Sequence, residues 1–310
     1  MNSYDYRFLQ AKHPYDPAQI EKVCRIGDFL VQISRIPFLR DRLSLYGGTA
    51  LNLIHFSQLQ RLSVDVDFNY RHRGEERDWG EIRGEIDDAY KQILYAQGYQ
   101  PGDIRIDASY PLSRFTVHYI NHRGIRDSFK IETGYMRRMP ILNKDARMSF
   151  RHLGDDTLHT VMTSQVEEIY ANKWVTLLSR ATPRDLYDVS IIADIVTDAA
   201  KLRKCAVLES LMSLPQPLTG VDPEKIISGI HSDLSLRAVL RTGQDQDPRA
   251  LKESVTRYSE ALIGALTMNE KQCIRQFYTQ REFMPELLEL QEINPEIHSH
   301  SGILRALQRK

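Results

Sequence analysis

The decapeptide RLSVDVDFNY constrains the fold of this chain more than any other stretch. Apolar and polar residues alternate in it with the two-residue period of a β-strand, so the sequence predicts a strand over residues 62–70. Asp65 and Asp67 then share one face, and Val66 and Phe68 share the other. Two carboxylates roughly 6–7 Å apart along a strand repel each other unless a cation neutralises them. Mg²⁺ binds through one or two carboxylates plus substrate phosphates, so Mg²⁺ or Mn²⁺ is the expected ion.

A glycine-rich turn precedes this strand. Leu43–Tyr46 is predicted to be a short strand that leads into Gly47, Gly48 and Thr49. Glycine lets a ligand approach the backbone without interference from Cβ, and Thr49 is expected to cap a short helix whose first N–H groups attract phosphate. A glycine pair alone more often indicates only a tight turn. Together with the paired aspartates, however, it predicts metal-assisted nucleotidyl transfer.

Composition excludes several classes of protein. The 310 residues suffice for two domains, and the 41 basic and 41 acidic residues give no net charge that would indicate nucleic acid. Three widely separated cysteines match no zinc spacing and favour a reducing, cytoplasmic environment. The N-terminus lacks an apolar signal core, and no apolar run is long enough for a membrane span.

The hydrophobic pattern changes near residue 150 and predicts an α+β protein with two domains. A mixed α/β domain is expected over residues 1–150 and a helical domain over residues 151–310. In the first, the patterns predict helices over 17–34 and 75–97 and strands over 103–109, 113–120 and 128–135. In the second, Ser164 and Glu167 form a capping-box pattern, Thr182 is expected to cap another helix, and later helices are expected over 203–213, 223–241, 249–266, 269–279 and 283–309.

Glu132 is a candidate third acidic residue for the metal. It alternates with Phe129 and Ile131, so it faces away from their apolar layer. If its strand lies beside the aspartate strand, Glu132 joins Asp65 and Asp67. The alternative is an ordinary surface ion pair with Lys130.

A second group of candidates lies further along the chain. Lys173 falls on the apolar face of a predicted helix, where a lysine is uncommon. Its ammonium either reaches water beyond a packed stem or points into a cleft to bind nucleotide phosphates. Asp185 and Asp188 share a helix face because they are three residues apart, and Arg184 is adjacent. These acids either complement the helix dipole, or one of them orients Lys173 or accepts a proton from the attacking hydroxyl.

The ordered motifs resemble the AbiEii-type nucleotidyltransferases, which include the toxins of AbiE and MenT toxin–antitoxin systems. They cover about residues 45–190 and read GGTAL, RLSVDVDF, KIE, KWVTLLSR and RDLYD. The resemblance implies a polymerase-β-like nucleotidyltransferase fold with an added helical domain, transfer of a nucleotide from an NTP, and, in the MenT branch, the 3′ end of tRNA as acceptor. The family's motifs match Gly47, Gly48, Ser63, Asp65, Asp67, Lys173, Arg184, Asp185 and Asp188. Gly-Gly-Thr replaces the Gly-Ser of the wider superfamily, so the resemblance implies that Thr49 supplies the hydroxyl.

The resulting hypothesis is a magnesium-dependent toxin with a cognate antitoxin. Asp65 and Asp67 hold the metal, the glycine turn with Ser63 holds the triphosphate, and Lys173 offsets the developing charge. Six arginines are candidates for contacting an RNA acceptor: Arg71, Arg73, Arg137, Arg138, Arg147 and Arg151. Two alternatives stay open at this level. One is nucleotidyl transfer to a protein or a small molecule such as an antibiotic, and the other is a non-catalytic NTP-binding module.

Overall fold

A seven-stranded mixed sheet is the framework of the first part of the chain. The computed structural model describes residues 4–72, 78–195, 197–231, 234–244 and 246–309. The strands are β1 Leu43–Tyr46, β2 Asp65–Tyr70, β3 Ile104–Asp107, β4 Leu112–Ile120, β5 Arg126–Gly134, β6 Ala146–Arg151 and β7 Leu158–Thr163. They lie in the order β3-β4-β5-β2-β1-β7-β6. The central strand β2 runs antiparallel to β1 and parallel to β5.

The predicted strands of this sheet are confirmed, with one correction at the aspartate strand. β1 has the predicted limits, but β2 begins at Asp65 and not at Leu62. The backbone N–H of Leu62 bonds to the carbonyl of Val239 at 2.8 Å instead of to a neighbouring strand. The sequence analysis missed β6 and β7. In β6 the less exposed Ala146, Met148 and Phe150 alternate with the exposed Arg147, Ser149 and Arg151, so this edge strand carried a two-residue signal that the sequence analysis did not use.

The helices of the first part precede β3 in the chain. They are α1 Tyr6–Lys12, which was not predicted, α2 Pro17–Arg35, α3 Pro37–Arg40, α4 Gly47–Ala50 and α5 Trp79–Ala96, and a π-helical turn, Leu51–His55, continues α4. α2 begins as predicted, because the Asp16 side chain accepts a hydrogen bond from the N–H of Ala18 at 2.8 Å. The helix predicted over 75–97 is α5, and residues 75–77 lie outside the described residues.

Aromatic packing fixes α2 and α5 against the apolar face of the sheet. The buried Tyr90 ring of α5 lies edge-on to Phe29 of α2, at 5.3 Å, and to Phe115 of β4, at 5.5 Å. Its hydroxyl bonds to Thr133 of β5 at 2.9 Å. The packing combines a large apolar area with a satisfied polar group, which is how a buried tyrosine is accommodated.

A second, helical part has its own hydrophobic core, which includes Trp174, Leu208, Ile274 and Phe277. Its helices are α6 Val166–Arg180, α7 Pro183–Ala193, α8 Ala199–Ser213, α9 Pro223–Ser228, α10 Leu234–Arg237, α11 Pro248–Gly264, α12 Met268–Thr279 and α13 Ser301–Leu307. Single continuous helices over 223–241 and 283–309 were wrong predictions. The first range contains α9 and α10, and the second contains mostly turns before α13.

The chain forms two compact units, and each of them contains segments from both sides of residue 150. The first comprises Met1–Met139, Asp145–Ser164 and Ala238–Gln244, and the second comprises Pro140–Lys144, Gln165–Arg237 and Asp245–Lys310. The fold class is α+β, as predicted. The three cysteines are buried free thiols. Within the described residues, none of the helices has the length and apolar character that crossing a bilayer requires.

Two phenylalanine truncations test the core of the first unit. Phe68 is 2% exposed and points to the helix-covered face, so Phe68→Ala should lower the free energy of unfolding by about 3–5 kcal/mol. Phe8 on α1 is 68% exposed, and Phe8→Ala should change the free energy of unfolding by less than about 0.5 kcal/mol. Urea unfolding measures both, and similar losses for the two variants would contradict the assigned packing.

Candidate active site

β2 holds Asp65 and Asp67 on the face of the sheet opposite α2 and α5. In the pairing with β5, Asp65 lies across from Lys130 and Asp67 across from Glu132. In the pairing with β1, Asp67 lies across from Tyr46. Directly paired residues of neighbouring strands project to the same side, while Val66 and Phe68 are buried on the other. The predicted division of this strand into two faces is therefore confirmed.

Gly47 lies against the carboxylate of Asp67. A Cβ atom added to Gly47 would stand 3.0 Å from Asp67 Cγ and 3.1 Å from its Cβ, and closer still to one carboxylate oxygen. Gly47 also has a φ of +64°, a left-handed conformation that costs other residues about 1–2 kcal/mol. Both observations require glycine where β1 turns into α4. The turn therefore lies directly against a carboxylate of the predicted metal pair.

Gly48 and Thr49 join the same turn to the segment before β2. A Cβ on Gly48 would approach Ser63 Oγ at 3.0 Å and the guanidinium of Arg61 at 3.1 Å. The fully buried Thr49 hydroxyl lies 2.9 Å from Ser63 Oγ and also bonds to the backbone carbonyl of Asp65. Thr49 lies inside α4, whose N-cap is Tyr46 without a side-chain bond, so the predicted capping by Thr49 is wrong. Its hydroxyl instead ties the helix to the aspartate strand.

Asn52 and Arg61 support this turn, and the sequence analysis missed Asn52 and gave Arg61 no role. The Asn52 side chain donates to the carbonyl of Gly48 at 3.0 Å and accepts from the N–H of Arg61 at 3.3 Å. Arg61 is 3% exposed, and its guanidinium donates to the carbonyl of Leu62 at 2.9 Å. Two sequence features could have pointed to these roles. They are the polar Asn52 within a short helical segment and the arginine, Arg61, shortly before the aspartates.

Glu132 lies next to the aspartates in the sheet, as predicted for adjacent strands, but it is bonded to Arg114. The Nε of Arg114 donates to Glu132 at 2.6 Å, and this bond raises the pKa of Arg114. The partner is therefore Arg114 of β4 and not Lys130. Among the described residues, no group of three or more His, Cys, Asp or Glu side chains is arranged to hold a metal ion. The paired carboxylates of Asp65 and Asp67 provide the oxygen donors that suit Mg²⁺ when it is also held by substrate phosphates.

Lys173 is buried in the second unit between two carboxylates. Its ammonium lies 3.0 Å from Asp185 and 3.0 Å from Asp188, and its side chain is 7% exposed. The alternative in which its ammonium reaches water is therefore wrong. Asp185 and Asp188 project from one face of α7, as their spacing predicted, towards a lysine of α6.

Asp185 also anchors the connection between α6 and α7. Arg180 donates two hydrogen bonds to its carboxylate, at 2.6 and 3.0 Å, and the Thr182 hydroxyl donates a third at 2.6 Å. The Thr182 hydroxyl accepts from the N–H of Asp185 at 3.3 Å, which confirms the predicted cap. Burial alone raises the pKa of Asp185, but Lys173 and Arg180 outweigh it, and the net pKa lies well below its usual range.

The remaining candidates differ in their surroundings. Arg184 is half-buried in the first turn of α7. Ser164 was predicted to cap α6, but the N-cap is Gln165 and Ser164 instead bonds to Arg71 at 2.9 Å.

Arg71, proposed to contact RNA, is buried and paired with Asp145 at 2.7 Å. Arg147 and Arg151 pair with acidic residues, Arg137 bonds to Tyr46, Arg138 lies over Trp79, and Arg73 lies outside the described residues.

Substitution of Gly47 tests the close approach to Asp67. Gly47→Ala should weaken Mn²⁺ binding on the order of tenfold or more, because the new Cβ displaces the Asp67 carboxylate. Gly124→Ala is the matched control, since Gly124 has a φ of +77° but no atom within 4 Å of an added Cβ. Isothermal titration with Mn²⁺ measures both. Equal Mn²⁺ affinity in the two variants would contradict the assigned site.

The ion cluster around Asp185 predicts a specific dependence of stability on pH. The native pKa of Asp185 is depressed below its unfolded value of about 3.9, so its contribution is complete above about pH 4 and is lost as the pH falls further. Asp185→Asn should lower the free energy of unfolding by about 3–5 kcal/mol at neutral pH, and the deficit should shrink in acid. Urea unfolding at several pH values tests this. The exposed Asp194→Asn should show neither effect, and a pH-independent deficit in Asp185→Asn would contradict the depressed pKa.

Comparison with known proteins places these residues in a family. The family model described as "Nucleotidyl transferase AbiEii toxin, Type IV TA system" matches residues 28–222. No match was found among curated proteins. The solved structure of MenT4, a nucleotidyltransferase toxin from Mycobacterium tuberculosis H37Rv, matches with a TM-score of 0.61 at 16% identity, covering 98% of both chains. An antigenic nucleotidyltransferase-like protein from Paracoccidioides brasiliensis gives a TM-score of 0.35 at 14% identity over 55% of this chain and 74% of its own.

The family match covers more than half of the chain and includes the glycine turn, the aspartate strand and the Lys173–Asp185–Asp188 cluster. The similarity to MenT4 extends over the whole chain and shows a shared fold. The predicted family and fold class are therefore confirmed. This chain belongs to the AbiEii nucleotidyltransferase toxin family of type IV toxin–antitoxin systems.

Proposed function

We propose that this enzyme is a Mg²⁺-dependent nucleotidyltransferase toxin that transfers a nucleotide from an NTP to an RNA, with the 3′ end of tRNA as the favoured acceptor. The contact of Gly47 with the Asp67 carboxylate is the observation that supports this most. It brings a phosphate-binding type of turn to a pair of carboxylates, which are the two elements that nucleotidyl transfer requires. The proposed acceptor rests on the likeness to MenT proteins.

The residues of the first unit bind and orient the triphosphate. Asp65 and Asp67 hold the divalent ion, which supplies charge stabilisation at the attacked phosphate when bound. The backbone N–H groups that begin α4 at Gly47 and Gly48 bind the phosphate tail, since the glycines leave the space that a Cβ would fill. Ser63 adds a hydroxyl at the same turn. Thr49 serves by holding Ser63 and the backbone of Asp65 in place.

Residues of the second unit have distinct roles in the proposal. Asp185 already accepts bonds from Lys173, Arg180 and Thr182, so it positions the lysine and is a poor proton acceptor. Asp188, which also lies 3.0 Å from the ammonium of Lys173, is the other candidate to accept the proton of the attacking hydroxyl, and Lys173 offsets charge on the phosphates. Arg184 is assigned to nucleotide binding by its place in the family motif. Glu132 holds Arg114 through one carboxylate oxygen, which leaves the second oxygen as its candidate metal ligand.

The family also implies a partner. Type IV toxin–antitoxin systems pair a toxin with an antitoxin, and we propose a cognate antitoxin protein for this chain. NTP and tRNA are cytoplasmic molecules, so we place the activity in the cytoplasm.

Nucleotide incorporation tests the proposed function. Each of the four NTPs, labelled at the α-phosphate, is incubated with Mg²⁺, tRNA and enzyme. The wild type should label tRNA, and Asp65→Asn and Asp67→Asn should each reduce the rate on the order of 10²–10³-fold by loss of charge stabilisation at the phosphate. Asp88→Asn, at a carboxylate that is 73% exposed on α5, is the control and should retain activity. Labelling of tRNA that survives both aspartate substitutions would reject the assignment of Asp65 and Asp67. Labelling of a protein or a small molecule instead of tRNA would show that the acceptor is not RNA.

A further inference from the structure

Two rows of polar side chains run from the catalytic aspartates across the sheet towards its β3 edge. The first row contains Asp65 of β2, Lys130 of β5, Thr116 of β4 and Arg105 of β3, each paired with the next. The second contains Asp67, Glu132, Arg114 and Asp107 in the same strand order. Because paired residues project to one side, both rows lie on the face that carries the aspartates. We call the part of this face over β3, β4 and β5 the open polar face.

The opposite side of these strands is covered by helices of the same unit. Asp127 of β5 pairs with Lys22 of α2 at 2.8 Å, and Ser113 of β4 bonds to Asp87 of α5 at 2.8 Å. Phe115, Val117, Phe129 and Ile131 are buried there. On the open polar face, by contrast, Arg105 and Lys130 are exposed and Arg114 retains 39% of its side-chain surface. The strands therefore separate an apolar, covered side from a polar, accessible one.

Charge on the open polar face favours an anion. Four cations lie on it, namely Arg105, Arg114, Lys130 and Arg126, against the two carboxylates of Glu132 and Asp107. Glu132 is bonded to Arg114, and Asp107 accepts from the hydroxyl of Ser109 at 3.0 Å. Arg105 and Lys130 have no ion-pair partner among the residues that the structure describes. Thr116 lies between these two cations and offers a hydroxyl donor.

The position of this face identifies the kind of anion. Neighbouring strands are about 4.8 Å apart, so the row that begins at Asp65 reaches Arg105 after roughly 14 Å. An acceptor whose 3′ hydroxyl is at the aspartates must place its preceding phosphates on the surface that continues from them. A basic surface that follows the sugar–phosphate backbone is the usual way to bind a single strand without reading its sequence. A free NTP has no chain of phosphodiesters to extend in this way.

We propose that the open polar face binds the sugar–phosphate backbone of a single-stranded RNA 3′ end, through Lys130, Thr116 and Arg105, as that end enters the site at Asp65 and Asp67. This inference rests on the proposed function, in which the acceptor is RNA. It assigns the acceptor contacts to residues other than the six arginines that the sequence suggested. Phosphate contacts of this kind give affinity without base specificity.

The salt dependence of RNA binding tests the proposal. The probe is a short fluorescent single-stranded RNA with a free 3′ hydroxyl, titrated with the full chain at several KCl concentrations. Each phosphate contact contributes about 0.7 to the slope of log K against log salt for a single strand. The double variant Arg105→Gln with Lys130→Gln should therefore bind more weakly, with a slope about 1.4 shallower than that of the wild type. Each single variant should have a slope about 0.7 shallower than that of the wild type.

Controls separate this outcome from misfolding and from loss of the nucleotide site. Lys271→Gln removes an exposed cation of α12 and should leave the slope unchanged. Thermal unfolding and NTP binding in the double variant should match those of the wild type. An unchanged RNA slope and affinity in the double variant would overturn the proposal, while tRNA labelling by the wild type would leave the proposed function standing. A wild type that neither binds nor labels RNA would overturn both.

Discussion

The contact between Gly47 and the Asp67 carboxylate is the constraint on which the nucleotide site of the first unit depends. It is set by the antiparallel register of β1 and β2, in which Tyr46 lies across from Asp67 and the next residue turns away with a positive φ. The Thr49 hydroxyl then fixes the helix to the backbone of Asp65. A shift of β2 by one residue would turn both aspartates to the helix-covered side. The register of the sheet therefore determines whether the two carboxylates reach the nucleotide site.

Much of this site could be predicted from the sequence because its information is local. Strict alternation identified the strand, its two faces and the paired carboxylates, and residue spacing placed Asp185 and Asp188 together. Prediction failed where a side chain had several possible partners. Thr49 and Ser164 both look like helix caps, yet their hydroxyls bond to Asp65 and Arg71 of other segments. Such tertiary competition for a hydroxyl leaves no mark in local sequence.

Lys173 shows the same limit in the second unit. Its place on an apolar helix face was evident, but a lysine in that position is explained equally well by a stem that reaches water. What decides the matter is the convergence of two carboxylates on one ammonium, each at 3.0 Å. A buried ammonium with one carboxylate leaves no net charge, whereas two leave a negative one, and Arg180 restores the balance through Asp185. The left-handed Ala181, with a φ of +50°, turns the chain between these partners.

Neutral composition concealed how charge is distributed in the first unit. Alternate residues of a strand face opposite sides, so a chain with equal numbers of acids and bases can still build one face of distinct character. On β5, Phe129 and Ile131 enter the core while Lys130 and Glu132 leave it. The same alternation on β2 delivers the aspartates to the polar side. Because the register joins these residues into continuous rows, the strand pattern that buries the core also determines where a polyanion can approach the aspartates.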